Sequence, residues 1–154
     1  LAWLADFPNL VITRTFSKVY GLAGLRIGYA LASAEIVDLM NRVRQPFNVN
    51  NLALAAAIGA LDDHVFLAES FELNRRGMEQ IVAGLKRLGL EHIPSHGNFV
   101  AFAVTDAAAT NRKLLQQGVI VRPIGGYGLP RHLRVTIGLE RENLRFLDAL
   151  GKSV

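Results

Sequence analysis

The 154 residues are enough for a domain with its own core, and the absence of cysteine excludes disulfide and thiolate chemistry, in keeping with an expected cytoplasmic location. Hydrophobic residues make up 51% and charged residues 19%, a globular balance far from the disordered and fibrous classes. The formal charge is +4, but the basic residues stand singly or in close pairs such as Arg75 and Arg76, or Lys86 and Arg87. That scatter lacks the basic run of a nucleic-acid binder. The apolar stretch Leu52 to Leu61 is about half the length needed to span a bilayer. Neither a signal peptide nor a membrane anchor is expected.

In chain order, Leu1-Ala2-Trp3-Leu4 reads as the tail of an element and Asp6-Phe7-Pro8-Asn9 as a turn. Leu10-Val11-Ile12 suits a buried strand, Arg14 to Gly24 is a polar, glycine-bearing loop, and Arg26 to Ala32 returns to a β-compatible pattern. Ile36, Val37, Leu39, Met40 and Val43 then fall on one side of a helix, with Ser33 as N-cap and Gln45-Pro46 as its end. Asn51 to Leu61 is an alanine-rich stretch suited to close packing. Asp62-Asp63 caps a long amphipathic helix over 64–88 that stops at Gly89.

The last third alternates. Strands are expected at Leu90 to Pro94, Asn98 to Val104, Val119 to Pro123 and Leu133 to Ile137. Helices are expected at Ala107 to Gln117 and Glu140 to Leu150. The fold class is therefore α/β: residues 1–45 as the edge of a larger sheet, 46–62 as a connecting segment, and 63–154 as a small sandwich of three or four strands with helices on one face.

Chemistry concentrates between Thr15 and Arg26. Thr15 and Ser17 have the spacing that points two hydroxyls the same way from an extended backbone while Phe16 points into the core. Lys18 follows, glycines allow close backbone approach, and Arg26 adds a planar cation that suits phosphate oxygens. These residues make a plausible phosphate-monoester site with an amine beside it. On composition alone, a solvated loop explains them as well. Neither the P-loop nor the dinucleotide-fold glycine spacing is present.

The order of these residues adds more. Ser17-Lys18 followed by Gly21-Leu22-Ala23-Gly24-Leu25-Arg26-Ile27-Gly28-Tyr29 resembles the lysine segment of fold-type-I enzymes that use pyridoxal 5'-phosphate (PLP). The wording is most similar to the histidinol-phosphate aminotransferase branch of the class I/II aminotransferases. The likeness continues through Pro46-Phe47-Asn48-Val49-Asn50, Gly97-Asn98-Phe99-Val100 and Leu133-Arg134-Val135-Thr136-Ile137-Gly138, so it covers essentially the whole chain.

The resemblance implies the edge of a PLP-binding large domain followed by a small C-terminal α/β domain. It implies that Lys18 is the catalytic lysine that carries PLP as a Schiff base, and that Thr15, Ser17 and Arg26 hold the cofactor phosphate. It implies that Arg134 grips a substrate carboxylate or phosphate, with Asn48 a further substrate-binding candidate and Asn50 and Asn98 weaker ones. On the residues alone, the alternation of Leu133, Val135 and Ile137 with Arg134 and Thr136 puts Arg134 on the polar face of a strand. The implied reaction moves an amino group between histidinol phosphate and a 2-oxo acid such as 2-oxoglutarate. The implied parent is a cytoplasmic homodimer of histidine biosynthesis, with no metal, membrane or nucleic-acid partner.

One departure matters. The family places a carboxylate against the cofactor's ring nitrogen well upstream of the lysine, and the only carboxylate before Lys18 is Asp6. The chain is therefore expected to be a C-terminal part that carries the anchor but is inactive alone. Its first 45 residues are expected to expose apolar surface. An aromatic aminotransferase, a PLP-dependent phospho-amino-acid decarboxylase and a non-catalytic remnant are the alternatives. The four histidines (His64, His92, His96 and His132) are dispersed, and Pro94 prevents His92 and His96 from sharing a helix face.

Overall fold

The computed structural model describes residues 2–154, and Leu1, assigned above to the tail of an element, lies outside them. The chain divides into two compact units, residues 1–70 and 71–154.

The first unit opens with α1 (Trp3–Asp6), so Asp6 ends a short helix rather than beginning a turn. Strand β1 (Ile12–Thr15) pairs antiparallel with β2 (Gly28–Leu31), from Ile12 opposite Leu31 to Thr15 opposite Gly28. Both strands are shorter than, or offset from, their apolar runs, because pairing rather than hydropathy sets where a ladder begins. At the last pair a Cβ on Gly28 would stand 2.6 Å from the Arg14 carbonyl oxygen, so the crossing requires glycine.

Helix α2 (Ala34–Val43) is capped by Ser33, whose Oγ accepts the Ile36 N–H at 3.5 Å. Helix α3 (Asn51–Asp62) is capped by Asn50, whose Oδ1 accepts the Ala53 N–H at 2.8 Å. Ala53 and Ala57 pack against Phe16 and Ile27 to form the unit's core. The larger Leu52 and Ile58 of the same helix stay exposed, as do Trp3, Phe7 and Val43. Small side chains are buried here because Phe16 fills the space that faces α3.

Helix α4 (His64–Arg87) begins where Asp63 accepts the Phe66 N–H at 2.9 Å and ends before Gly89, which takes a left-handed φ of 70°. The second unit contains the remainder of α4, a four-stranded antiparallel sheet and two further helices. Its strands are β3 (His92–Ile93), β4 (Phe99–Ala103), β5 (Arg122–Pro123) and β6 (His132–Thr136), in the order β3-β4-β6-β5. The two edge strands keep only two residues each of the five expected. Pro94, which lacks an N–H, directly follows β3 and stops it, whereas Pro123 is itself the last residue of β5.

Val100 and Phe102 of β4 and Leu133 and Val135 of β6 point to the same face. There they meet Ile81 and Leu85 of α4, Leu114 of α5 (Ala107–Gln116), and Phe146, Leu147 and Leu150 of α6 (Glu140–Gly151). The helices thus cover one face, and the opposite face carries Phe99, Ala101, Arg134 and Thr136. Among the described residues no single helix is both long and apolar enough to cross a membrane.

Candidate active site

The Lys18 loop is built around one buried side chain. Phe16 is almost completely enclosed, with its ring 4.9 Å from that of Tyr20 and 5.8 Å from that of Tyr29. Its N–H donates to the Ile27 carbonyl at 3.1 Å, and its own carbonyl accepts the Leu22 N–H at 3.0 Å. The intervening residues form a closed loop. Within it the Gly21 N–H donates to the Lys18 carbonyl at 2.9 Å, and Gly21 takes a φ of 71° that suits glycine. The Lys18 side chain is exposed at the head of this loop.

Three of the residues named from the sequence come together beside it. The Ser17 N–H donates to Thr15 Oγ1 at 3.1 Å, so the backbone bends just after β1. Arg26 Nη1 donates to Ser17 Oγ at 3.4 Å and to the Ala23 carbonyl at 2.8 Å. Arg26 is exposed and sits at φ 53°, ψ 47°, in the left-handed region that non-glycine residues rarely adopt. A single turn of 3-10 helix (Ala23–Leu25) precedes it and directs its side chain back over the loop. The Arg26 guanidinium and the Ser17 hydroxyl are thus in contact in the loop that carries Lys18, with the Thr15 hydroxyl bonded to the Ser17 N–H, and among the described residues Arg26 has no carboxylate partner. Such a cluster can bind a phosphate dianion through charge-assisted hydrogen bonds.

Asn48 lies elsewhere in the same unit. Its Oδ1 accepts from Arg44 Nη1 at 3.3 Å, and it lines an open cleft of about 640 Å³ with Asn41, Pro46, Phe47 and Leu54. Phe47 beside it is 98% exposed and left-handed, at φ 55°. Asn50 serves as the α3 cap.

Arg134 belongs to the second unit. It sits in mid-strand on β6, half-buried, on the face away from the helices, with its guanidinium carbon 4.6 Å from the centroid of the Phe99 ring. Among the described residues its side chain has no carboxylate partner. The sheet register adds a residue that the sequence did not reveal. Arg122 of β5 stands directly opposite Arg134, so two guanidinium-bearing side chains rise from one face of the sheet. Only the register could have shown this, since twelve positions separate the two arginines in the chain. Like charges placed opposite each other are unfavourable unless an anion joins them.

The class I and II aminotransferase family model matches residues 1–150. The chain belongs to that family. It is 76% identical over 152 residues to histidinol-phosphate aminotransferase 1 of Dechloromonas aromatica (strain RCB), covering 99% of this chain and 42% of that protein. Among solved structures, the histidinol-phosphate aminotransferase of Clostridium acetobutylicum superposes with a TM-score of 0.91 at 25% identity, over 98% of this chain and 47% of that one. The Sinorhizobium meliloti histidinol-phosphate aminotransferase, solved in complex with pyridoxal-5'-phosphate, gives 0.87 at 33% identity, over 96% of this chain and 42% of that one. The chain thus spans less than half the length of these relatives. The fold expected from the lysine segment, a fold-type-I aminotransferase part, is the one found.

Proposed function

We propose that this aminotransferase chain provides the lysine anchor and the substrate-anion clamp for PLP-dependent amino transfer between histidinol phosphate and a 2-oxo acid such as 2-oxoglutarate. The observation that carries the reading is the hydrogen-bonded set of Thr15, Ser17 and Arg26 in the loop that presents the exposed Lys18. A phosphorylated aldehyde needs these two functions together, an anion cradle and a primary amine, and the loop fits it. PLP, when bound, supplies the electron sink for the carbanion formed at the substrate Cα.

The rest is the work of the chain's own groups. Thr15 and Ser17 hydroxyls and the Arg26 guanidinium bind the phosphate. The Lys18 Nζ would hold the aldehyde-bearing end of the cofactor and would serve as the general base that moves the substrate Cα proton. Arg134, with Arg122 opposite, binds the substrate's carboxylate or phosphate and so fixes its orientation. Asn48 is placed in the substrate-binding set on its motif alone.

The reading assigns residues 1–45 to a cofactor-binding large domain, 46–62 to a connecting segment and 63–154 to the small domain. It extends to a cytoplasmic, homodimeric parent. Borohydride reduction of the chain in the presence of PLP tests it, with a phosphopyridoxyl mass expected on Lys18. Label spread evenly over Lys18, Lys86, Lys113 and Lys152 refutes the anchor assignment. Assays of the full-length parent with histidinol phosphate, phenylalanine and threonine phosphate separate the three substrate classes.

A further inference from the structure

The Arg134 guanidinium is charged, half-buried and free of any acidic partner among the described residues, yet it does not hang loose. Its carbon lies 4.6 Å from the centre of the Phe99 ring. The register explains the contact: Ala101 is directly opposite Arg134 and Phe99 is opposite Thr136, so Phe99 is the diagonal neighbour of Arg134 on the same face. The small Ala101 leaves the arginine room to lean along the sheet onto the ring.

Phe99 is in turn held by an anchored turn. The Gly97 N–H donates to Ser95 Oγ at 3.1 Å, Asn74 Nδ2 of α4 donates to the Gly97 carbonyl at 3.1 Å, and the Asn98 carbonyl accepts the Ile137 N–H at 2.9 Å. Three hydrogen bonds thus fix the residues just before the ring. Phe99 is 37% exposed, too open to be a core residue, and it is not part of the buried cluster beneath the sheet.

We propose that Phe99 is the positioning residue of the Arg134 clamp: its ring supports the guanidinium and keeps the N–H edge of the fork free for a carboxylate or phosphate. The proposal rests on the anion-clamp reading given above. Arginine has several rotatable bonds, and an anion that must first order them binds more weakly than one that meets a preset fork. An aromatic face is suited to that task, because it attracts the cation without consuming any N–H donor.

The test uses the full 154-residue chain and inorganic phosphate at low ionic strength, followed by the Nε–H resonance of Arg134, assigned by its loss in Arg134→Lys. The wild-type resonance should be ordered before phosphate is added and should shift saturably with it. Phe99→Leu should lower the order parameter and weaken phosphate binding about two- to fivefold. Phe99→Met, a flexible, polarisable side chain without the ring, should behave in the same way, and Phe99→Tyr should restore both quantities. Order and affinity in the leucine and methionine variants equal to those of the wild type overturn the proposal and leave the clamp reading standing. A wild-type Arg134 resonance that phosphate does not move overturns the clamp reading and the proposal together.

Discussion

Replacing Gly77 with alanine should destabilise the second unit, although alanine is the better helix former. Gly77 lies within α4, where Gly→Ala ordinarily gains about 1 kcal/mol. Here the added Cβ would collide with Cγ2 of Ile137, a side chain stiff about χ1. It would also stand 3.0 Å from Asn143 Nδ2 and 3.3 Å from the Gly138 carbonyl oxygen. Asn143 is buried and fully engaged: its Oδ1 accepts the Gly138 N–H at 3.0 Å, and its Nδ2 donates to Gln80 Oε1 at 2.9 Å and to the Gly138 carbonyl at 3.1 Å. Overpacking costs about 1–3 kcal/mol, and loosening a buried hydrogen-bonded group costs about as much again. Set against the helix gain, the net loss is about 3 kcal/mol. For a unit of this size it lowers the melting temperature by at least about 10 °C. Urea unfolding followed by far-UV circular dichroism measures the change. Gly59→Ala is the control: Gly59 sits in α3 with nothing within 4 Å of the added methyl, so it should stabilise by up to about 1 kcal/mol. A Gly77→Ala midpoint equal to or above that of the wild type would refute the packing argument.

Two further outcomes follow from the local geometry. Gly28→Ala should break the Thr15–Gly28 end of the β1–β2 ladder, because its Cβ meets the Arg14 carbonyl. Amide exchange at residues 12–15 and 28–31 should accelerate and labelling of Lys18 should lose its selectivity, whereas unchanged exchange would count against the required glycine. Glu72 accepts hydrogen bonds from Arg75 and then Arg76, which hold its carboxyl at about 2. A value depressed in the folded state means that the interaction is present above the ordinary value of about 4.3 and is lost as pH falls toward 2. Titration of the Glu72 side-chain carbon by NMR should show a midpoint near 2 that moves up in Arg75→Gln.

Local chemistry was the legible part of the sequence. Ser33, Asp63 and Gly89 act at the helix ends where their types place them, and the alternation at Leu133, Arg134 and Val135 gives the correct two faces of β6. The lysine segment named its own neighbours, because Thr15, Ser17 and Arg26 are joined by contacts within one loop. What was not legible depends on pairing between distant segments. The edge strands shrank because only two residues of each find ladder partners. Arg122 and Phe99 gained their places beside Arg134 from the register of β4, β5 and β6. The helical state of Asp6 and the left-handed backbones of Arg26 and Phe47 are likewise set by context that no residue pattern announces.

The left-handed backbone at Arg26 has a consequence for how the chain tolerates change. At that position glycine is the residue the backbone prefers, and arginine holds the conformation at a cost of about 1–2 kcal/mol. Arg26→Gly is thus a substitution for which thermal tolerance and phosphate retention move in opposite directions. Screening variants for robustness alone would select it and discard the cation over the Lys18 loop. Selection at this one position has to follow ligand capture rather than melting temperature.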